Sequence, residues 1–271
     1  MYSSSDPAKL TAKLSEQYRC IAEYMGDNKL VINDDKTHLL VMGTKKQARF
    51  RKQVRIDTGT VVVAPIETEK LLGINIHQSL KWKEHVISGK KSMINTLTTR
   101  LNALKRIFRN ASFKTRLMVA NACFMSIITY MVVVWGGTEN YVLRAVQVMQ
   151  NKAARCVTKL SWFTTTRILL NQCNWLSIKQ IVVYQTALQV WKVKESKQPV
   201  YIASSLKTAT TRSGAQGNLL VPVVESSLAS KSFMVRSAST WNSIPPEIRN
   251  TRNLQGFKKK LKQWVKSNVE I

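Results

Sequence analysis

The side chains best placed to do chemistry here are cations. Lys90, Lys91, Arg100, Lys105, Arg106 and Arg109 crowd one stretch, and Lys258, Lys259, Lys260 and Lys262 crowd another. Ammonium and guanidinium groups hold phosphate oxygens through charge-assisted hydrogen bonds, without reading base sequence. Residues 81–120 carry ten Lys/Arg against the single acid Glu84, and residues 249–266 carry seven against none. Residues 1–43 are close to neutral, with five Lys/Arg and six acids. The formal net charge is +27, from 42 Lys/Arg and 15 Asp/Glu. That excess goes beyond what solubility requires and implies a polyanionic partner, either nucleic acid or an acidic membrane surface.

Other chemistries find less support. Asp34-Asp35 is a tempting carboxylate pair, but it falls in the polar turn Asn33-Asp34-Asp35-Lys36, where acids serve as solvated turn-formers. We therefore expect no metal there. Cys20, Cys123, Cys156 and Cys173 have no CxxC spacing, and His38, His77 and His85 lie far from Cys156 and Cys173, so no zinc pattern can be drawn. Scattered free thiols fit an intracellular protein, nuclear or cytoplasmic, and the opening Met1-Tyr2-Ser3-Ser4-Ser5-Asp6 lacks the basic start and apolar segment of a signal peptide. Leu117–Thr138 is uncharged and long enough to span a bilayer, yet it contains Asn121, Ser126 and Thr129. A buried helix is the expected reading. A membrane-associated protein is the alternative, resting on that stretch and the basic tail.

The elements that must position these groups follow from periodicity and turn chemistry. Asp6 and Pro7 open a helix with Leu10, Leu14, Ile21 and Met25 on one face, ended near Gly26. Leu30–Ile32 and His38–Met42 read as short strands, followed by a basic loop with Lys45, Lys46, Arg49, Arg51, Lys52 and Arg55. Val54–Ile56 and Thr60–Val63 form a hairpin across Asp57-Thr58-Gly59, and Lys70–Ile76 is a last strand. From Trp82 the texture becomes helical, over roughly 82–109, 112–135, 139–160 and 176–194. Val86, Met93, Leu97, Leu101 and Leu104 form the apolar face of the first of these.

Past Pro199 the chain is Ser/Thr/Gly-rich to about Ser230, with Leu219–Val224 as its candidate strand. Trp241-Asn242-Ser243-Ile244-Pro245-Pro246 marks a turn, and a basic amphipathic helix follows over about Leu254–Val265. Its apolar face is Leu254, Phe257, Leu261, Trp264 and Val265. Three roles suit it: docking onto the protein, holding phosphates, or lying on acidic lipid. Trp135, Trp162, Trp175 and Trp191 read as core residues rather than base-stacking platforms. The expected fold class is α+β: a small antiparallel sheet with one packed helix, then an all-α bundle, then a loosely structured basic C-terminal region.

Six short motifs occur in one order along nearly the whole chain. They are Asn28-Lys29-Leu30-Val31-Ile32-Asn33-Asp34-Asp35-Lys36-Thr37, Leu71-Leu72-Gly73-Ile74, Leu80-Lys81-Trp82-Lys83-Glu84-His85, Tyr130 with Trp135-Gly136, Gln150-Asn151-Lys152-Ala153-Ala154-Arg155, and Trp241-Asn242-Ser243-Ile244-Pro245-Pro246-Glu247-Ile248-Arg249 with Phe257-Lys258-Lys259-Lys260-Leu261-Lys262. In that order the chain resembles the C-terminal part of reverse transcriptases from non-LTR (LINE-type, Jockey-like) retrotransposons. The resemblance implies a palm remnant over 1–80 (the D and E motif region), a helical thumb over 81–197 and a basic post-thumb region over 198–271.

It also implies roles for particular residues. Lys36 would contact the triphosphate of an incoming nucleotide, Leu72 and Gly73 would grip the primer end, and the ten cations named at the outset would hold an RNA–DNA template–primer duplex. In that family Mg2+ is held by aspartates from an upstream strand and from an aromatic-x-Asp-Asp hairpin, and neither has a counterpart in these residues. The chain is thus expected to be inactive alone, with no cofactor of its own. The missing N-terminal half of the polymerase, if encoded upstream, would be a partner. The alternative is a domesticated basic nucleic-acid-binding protein of transposon origin.

Overall fold

Asp6 starts the first helix. Its carboxylate accepts the Ala8 amide at 2.9 Å and Pro7 presets the first turn, so α1 runs Pro7–Asp27, one residue past Gly26. In the computed structural model, which describes residues 3, 6–43, 47–89, 91–209 and 217–270, the chain divides into two compact units, Met1–His85 and Val86–Ile271. The basic-loop residues Lys45 and Lys46, and Lys90, lie outside the described residues.

In the first unit Leu10, Leu39, Val41 and Val54 form the core, with Leu14, Phe50, Ile56 and Val63 packed against it. The helix α2 spans Ala48–Gln53, and β1 (Ile56–Asp57) pairs antiparallel with β2 (Val62–Val63) in the register Ile56↔Val63. A hairpin thus forms where one was expected, but shorter, with Asp57 inside the strand and the turn over residues 58–61. Two hydroxyls one turn apart on α1 accept backbone amides beside it: Thr11 Oγ1 from Arg55 at 3.2 Å and Ser15 Oγ from Asp57 at 3.0 Å. The helix thereby satisfies donors that a further strand would otherwise have to pair.

A second hairpin joins β3 (Thr68–Leu71) to β4 (Ile74–His77). The single strand expected over Lys70–Ile76 is not formed, because Leu72 (φ 48°) and Gly73 (φ 82°) turn the chain back on itself. Positive φ at both central residues is the geometry of a two-residue hairpin loop. The other expected strands are also missing. Among the described residues Leu30–Ile32 has no strand partner, Val31 being 97% exposed, and His38–Met42 contributes one parallel bridge, Leu39↔Pro65. A strand needs a neighbour, and among the described residues each sheet stops at two strands.

The second unit is helical. Ser92 caps α3 (Met93–Ile107), and Ser112 caps α4 (Phe113–Ala120). A π-turn over Asn121–Met125 leads into α5 (Ser126–Thr129), Met131 then adopts φ 47°, and α6 (Val132–Trp135) follows. The uncharged stretch is therefore broken, and it buries Ala120, Phe124, Ile128, Val132 and Trp135 inside the unit. Among the described residues no helix is long and apolar enough to cross a membrane.

Next come α7 (Asn140–Thr158), α8 (Thr166–Gln172) and α9 (Ile178–Ser196), the last opened by a Ser177–Gln180 capping box. The α9 helix is apolar nearly all round and packs against α6, α7, the helix Phe233–Ser243 and the C-terminal helix Leu254–Asn268.

The C-terminal region is less loose than expected. Phe257, Leu261 and Val265, at helical spacing, are fully buried, and the Phe257 ring stacks on Trp191 (5.6 Å, 21°) and tilts against Trp241 (6.2 Å). Docking is thus the fate of that apolar face. Trp241 Nε1 donates to the Gly217 carbonyl at 3.1 Å, and Asn242 brackets Leu219 with two 2.8 Å bonds. Among the described residues Leu219 makes an isolated antiparallel bridge to Thr208 in place of the strand expected over Leu219–Val224. Phe257→Ala should cost about 3–5 kcal/mol in chemical denaturation of the whole chain, as for other large-to-small aromatic changes in cores. A loss below about 1 kcal/mol would mean that the C-terminal helix contributes little to this core.

Candidate nucleic-acid interface

On α3 the buried residues Met93, Leu97, Leu101 and Leu104 take one face, so Arg100, Lys105 and Arg106 are exposed on the other. Arg109 follows the helix and is exposed, as is Lys91 before it. The helices α3 and α7 pack together, leaving a groove of about 450 Å3 lined by Lys105, Asn102, Lys152, Arg155, Cys156 and Trp162 among others. Burial pushes the Cys156 thiol up, and the Lys105 ammonium close by opposes that rise. Three cations thus meet along one trough, two of them from α7 positions that sequence reading did not assign to phosphate.

The loop after α7 gives the groove its aromatic wall. Lys159 ends α7 at φ 59° and its Nζ donates to the Arg109 carbonyl at 3.1 Å. Arg155 donates to the carbonyls of Trp162 (3.1 Å) and Thr164 (3.3 Å), and its guanidinium lies 4.6 Å from the Trp162 ring centroid. Asn151 Nδ2 adds a 2.9 Å bond to Thr166 Oγ1 where α8 begins. The outcome is a fastened loop with Trp162 67% exposed and Phe163 92% exposed.

Trp162 therefore corrects the expectation that it belongs to the core, while Trp135, Trp175 and Trp191 are buried. The signal was local. Ser161 and Thr164-Thr165-Thr166 surround the Trp-Phe pair with loop-forming residues and no apolar periodicity. Not every cation is available, however. Arg116 is buried and donates to the carbonyls of Val157 and Ala111, both at 2.6 Å, so it holds the end of α7 in place.

The C-terminal lysines form a separate group. Lys259 and Lys260 are exposed, whereas Lys258 and Lys262 are half-buried. Lys262 and Lys266 converge on Asn174, at 3.3 Å to its carbonyl and 2.9 Å to its side chain, beside a cleft of about 420 Å3 that Arg167 and Asn171 also line. Burial, together with Lys266, lowers the Lys262 pKa.

In the first unit Lys36 ends the 3-10 turn Asp34–Lys36 and is exposed, and Leu72 and Gly73 form an exposed hairpin tip. Asp34 is a structural hub. Its oxygens accept from the hydroxyls of Tyr18 on α1 and of Thr60 and Thr58 in the β1–β2 loop. Those bonds, from Thr60 first and Tyr18 next, hold its carboxyl below the usual carboxylate range. Both oxygens are thus committed to hydroxyls, which does not suit a paired-carboxylate metal site. Among the described residues no three His, Cys, Asp or Glu cluster to hold a metal ion.

Compared with known proteins, the chain matches no family model, no curated protein and no solved structure.

Because the folded pKa of Asp34 is depressed, its contribution to stability is complete above the reference value of 3.8 and is lost as pH falls through the lower folded value. Asp34→Asn should remove that contribution. Acid titrations of stability should then separate wild type from variant above this window and converge below it. Parallel curves at every pH would show that the Asp34 carboxylate is not what ties α1 to the hairpin loop.

Proposed function

We propose that these residues are the nucleic-acid-binding C-terminal part of a non-LTR retrotransposon reverse transcriptase, comprising the end of the palm, the thumb and the post-thumb region. The observation that carries this reading is the α3–α7 groove, where Lys105, Lys152 and Arg155 meet beside the exposed Trp162. The ordered motifs and the change from hairpins to helices near residue 85 support it. Lysines in the groove neutralise phosphates, and an exposed indole gives a base a face to stack on.

In the first unit, Lys36 stands where the family has its triphosphate-contacting lysine. Leu72-Gly73, as a hairpin tip, presents backbone to a primer end more openly than a strand interior does. The parent reaction is RNA-templated DNA synthesis. Mg2+ there activates the primer 3′-hydroxyl and stabilises the leaving pyrophosphate, held by carboxylates with no counterpart among these residues. Residues 1–271 are accordingly a binding module rather than a catalyst. A domesticated nucleic-acid-binding protein shares that chemistry, and the commitment of Asp34 to hydroxyls is as natural in it.

Two measurements test the proposal. An RNA–DNA hybrid should bind regardless of sequence, with affinity falling about a thousandfold between about 50 and 200 mM salt if six or more phosphates are engaged. On a single-stranded oligonucleotide, Trp162→Ala should weaken binding about tenfold at any salt concentration. A flat salt response would remove the basic faces as the contact surface. In primer-extension assays with Mg2+ or Mn2+ the purified chain should incorporate no nucleotide, and protein-dependent incorporation would refute the assignment.

A further inference from the structure

A smaller cavity of about 320 Å3, involving neither the groove nor the C-terminal lysines, opens between α9 and the segment Arg249–Arg252, with Gly217 at its wall. Its lining includes Lys194, Arg249, Asn250 and Arg252, together with Trp191 and Trp241. Arg249 is only 6% exposed. Its Nη1 donates to Asn218 Oδ1 at 2.6 Å, but its Nε is buried with no hydrogen-bond partner. Lys194, half-buried, lies 5.0 Å from the centroid of the Trp241 ring, so it faces a π-cloud where a buried cation would ordinarily face a carboxylate.

Counter-charge is short at this point. Among the described residues no ion pair includes Lys194, Arg249 or Arg252. Glu195 lines the cavity and favours the charged form of Lys194, and Glu247 does the same for Arg249. Neither makes contact as an ion pair. Burial lowers the Lys194 pKa, and Arg249 and Lys197 push it the same way. From Gln198 to Val224 the sequence contains no Asp or Glu that could act as an internal counter-ion.

Buried guanidinium N–H groups without acceptors are costly, and three cations around one cavity repel each other. A single anion with several acceptor oxygens relieves both problems. A carboxylate offers two oxygens in one plane, whereas a phosphate offers three or more around a tetrahedron and carries up to two charges, which fits donors arriving from α9 and from two positions of the 249–252 segment.

We propose that this cavity is a phosphate-binding site in which Arg249, Arg252 and Lys194 supply the donors. The cavity is larger than a lone phosphate needs and leaves room for the group that the phosphate is esterified to. That group is either a small metabolite or the terminus of a nucleic-acid strand.

Tryptophan fluorescence reports directly, because Trp191 and Trp241 form the walls. Inorganic phosphate titrated into the full chain at constant ionic strength, with chloride as the balancing anion, should give a saturable change and raise the unfolding temperature. Lys194→Gln and Arg252→Gln, both avoiding the buried Arg249, should each weaken phosphate about tenfold, the usual effect of losing one charge-assisted donor. A 5′-phosphorylated oligonucleotide that displaces phosphate more effectively than its 5′-hydroxyl counterpart would identify a nucleic-acid end as the source. Equal displacement by the two would leave a free phosphate or small phosphate ester as the occupant. A response no larger than that of chloride, or folded variants that titrate like wild type, would overturn the proposal.

Discussion

The second unit depends on covering one helix. Because Ile178, Ile181, Val182, Leu188, Val190, Trp191 and Val193 are all buried, α9 leaves little beyond Lys179, Lys192 and its last turn to water, and helices from before and after it in sequence must enclose it. The C-terminal helix is one of those covers, and this requirement decides where its charges go. With Phe257, Leu261 and Val265 committed inward, Lys259 and Lys260 have only the solvent side left. The same reasoning places Arg100, Lys105 and Arg106 on the outer face of α3. Charge is displayed because the core is built, and each lysine is held at a fixed spacing by a helix.

So many cations in one chain must be tolerated without acids to pair them. Among the described residues only two ion pairs within 4.0 Å occur, His38 with Glu69 and Lys231 with Glu139. Backbone carbonyls take up part of the task. Arg116 donates to Val157 in the last turn of α7, Lys159 to Arg109 just past α3, and Arg236 to Val133 and Lys231. Unpaired carbonyls at helix ends carry partial negative charge, so these contacts both satisfy the acceptors and dilute the self-repulsion of the protein. The cations left over, mostly lysines on helix surfaces, are the ones available to a polyanion.

Legibility in the sequence followed the range of the interaction. Asp6-Pro7 and the hairpin around Asp57-Thr58-Gly59 were readable because cap and turn chemistry act within a few residues. Val31 was misread because β propensity states a preference, while a strand exists only if a partner arrives, and among the described residues none does. Lys70–Ile76 reads as one strand, since leucine rarely adopts positive φ, yet pairing of the flanking residues forces Leu72 to. In the candidate site, the α3 cations were visible from helical periodicity alone. Lys152 and Arg155 were not, because only the packing of α7 on α3 brings them to Lys105.

Arg155 illustrates how the groove would divide its labour on the proposed reading. Its Nη2 is taken by the carbonyls of Trp162 and Thr164, and its planar face lies against the indole. With Nη2 held by two carbonyls and its plane against the ring, the guanidinium fixes the angle at which Trp162 meets solvent. Phosphate neutralisation then falls to Lys105 and Lys152, whose ammonium groups are mobile point charges. Electrostatic attraction weakens as salt rises, whereas stacking on a held ring does not. An interface made from both keeps a strand engaged when ionic strength removes most of the long-range pull, and it does so without reading the strand's sequence.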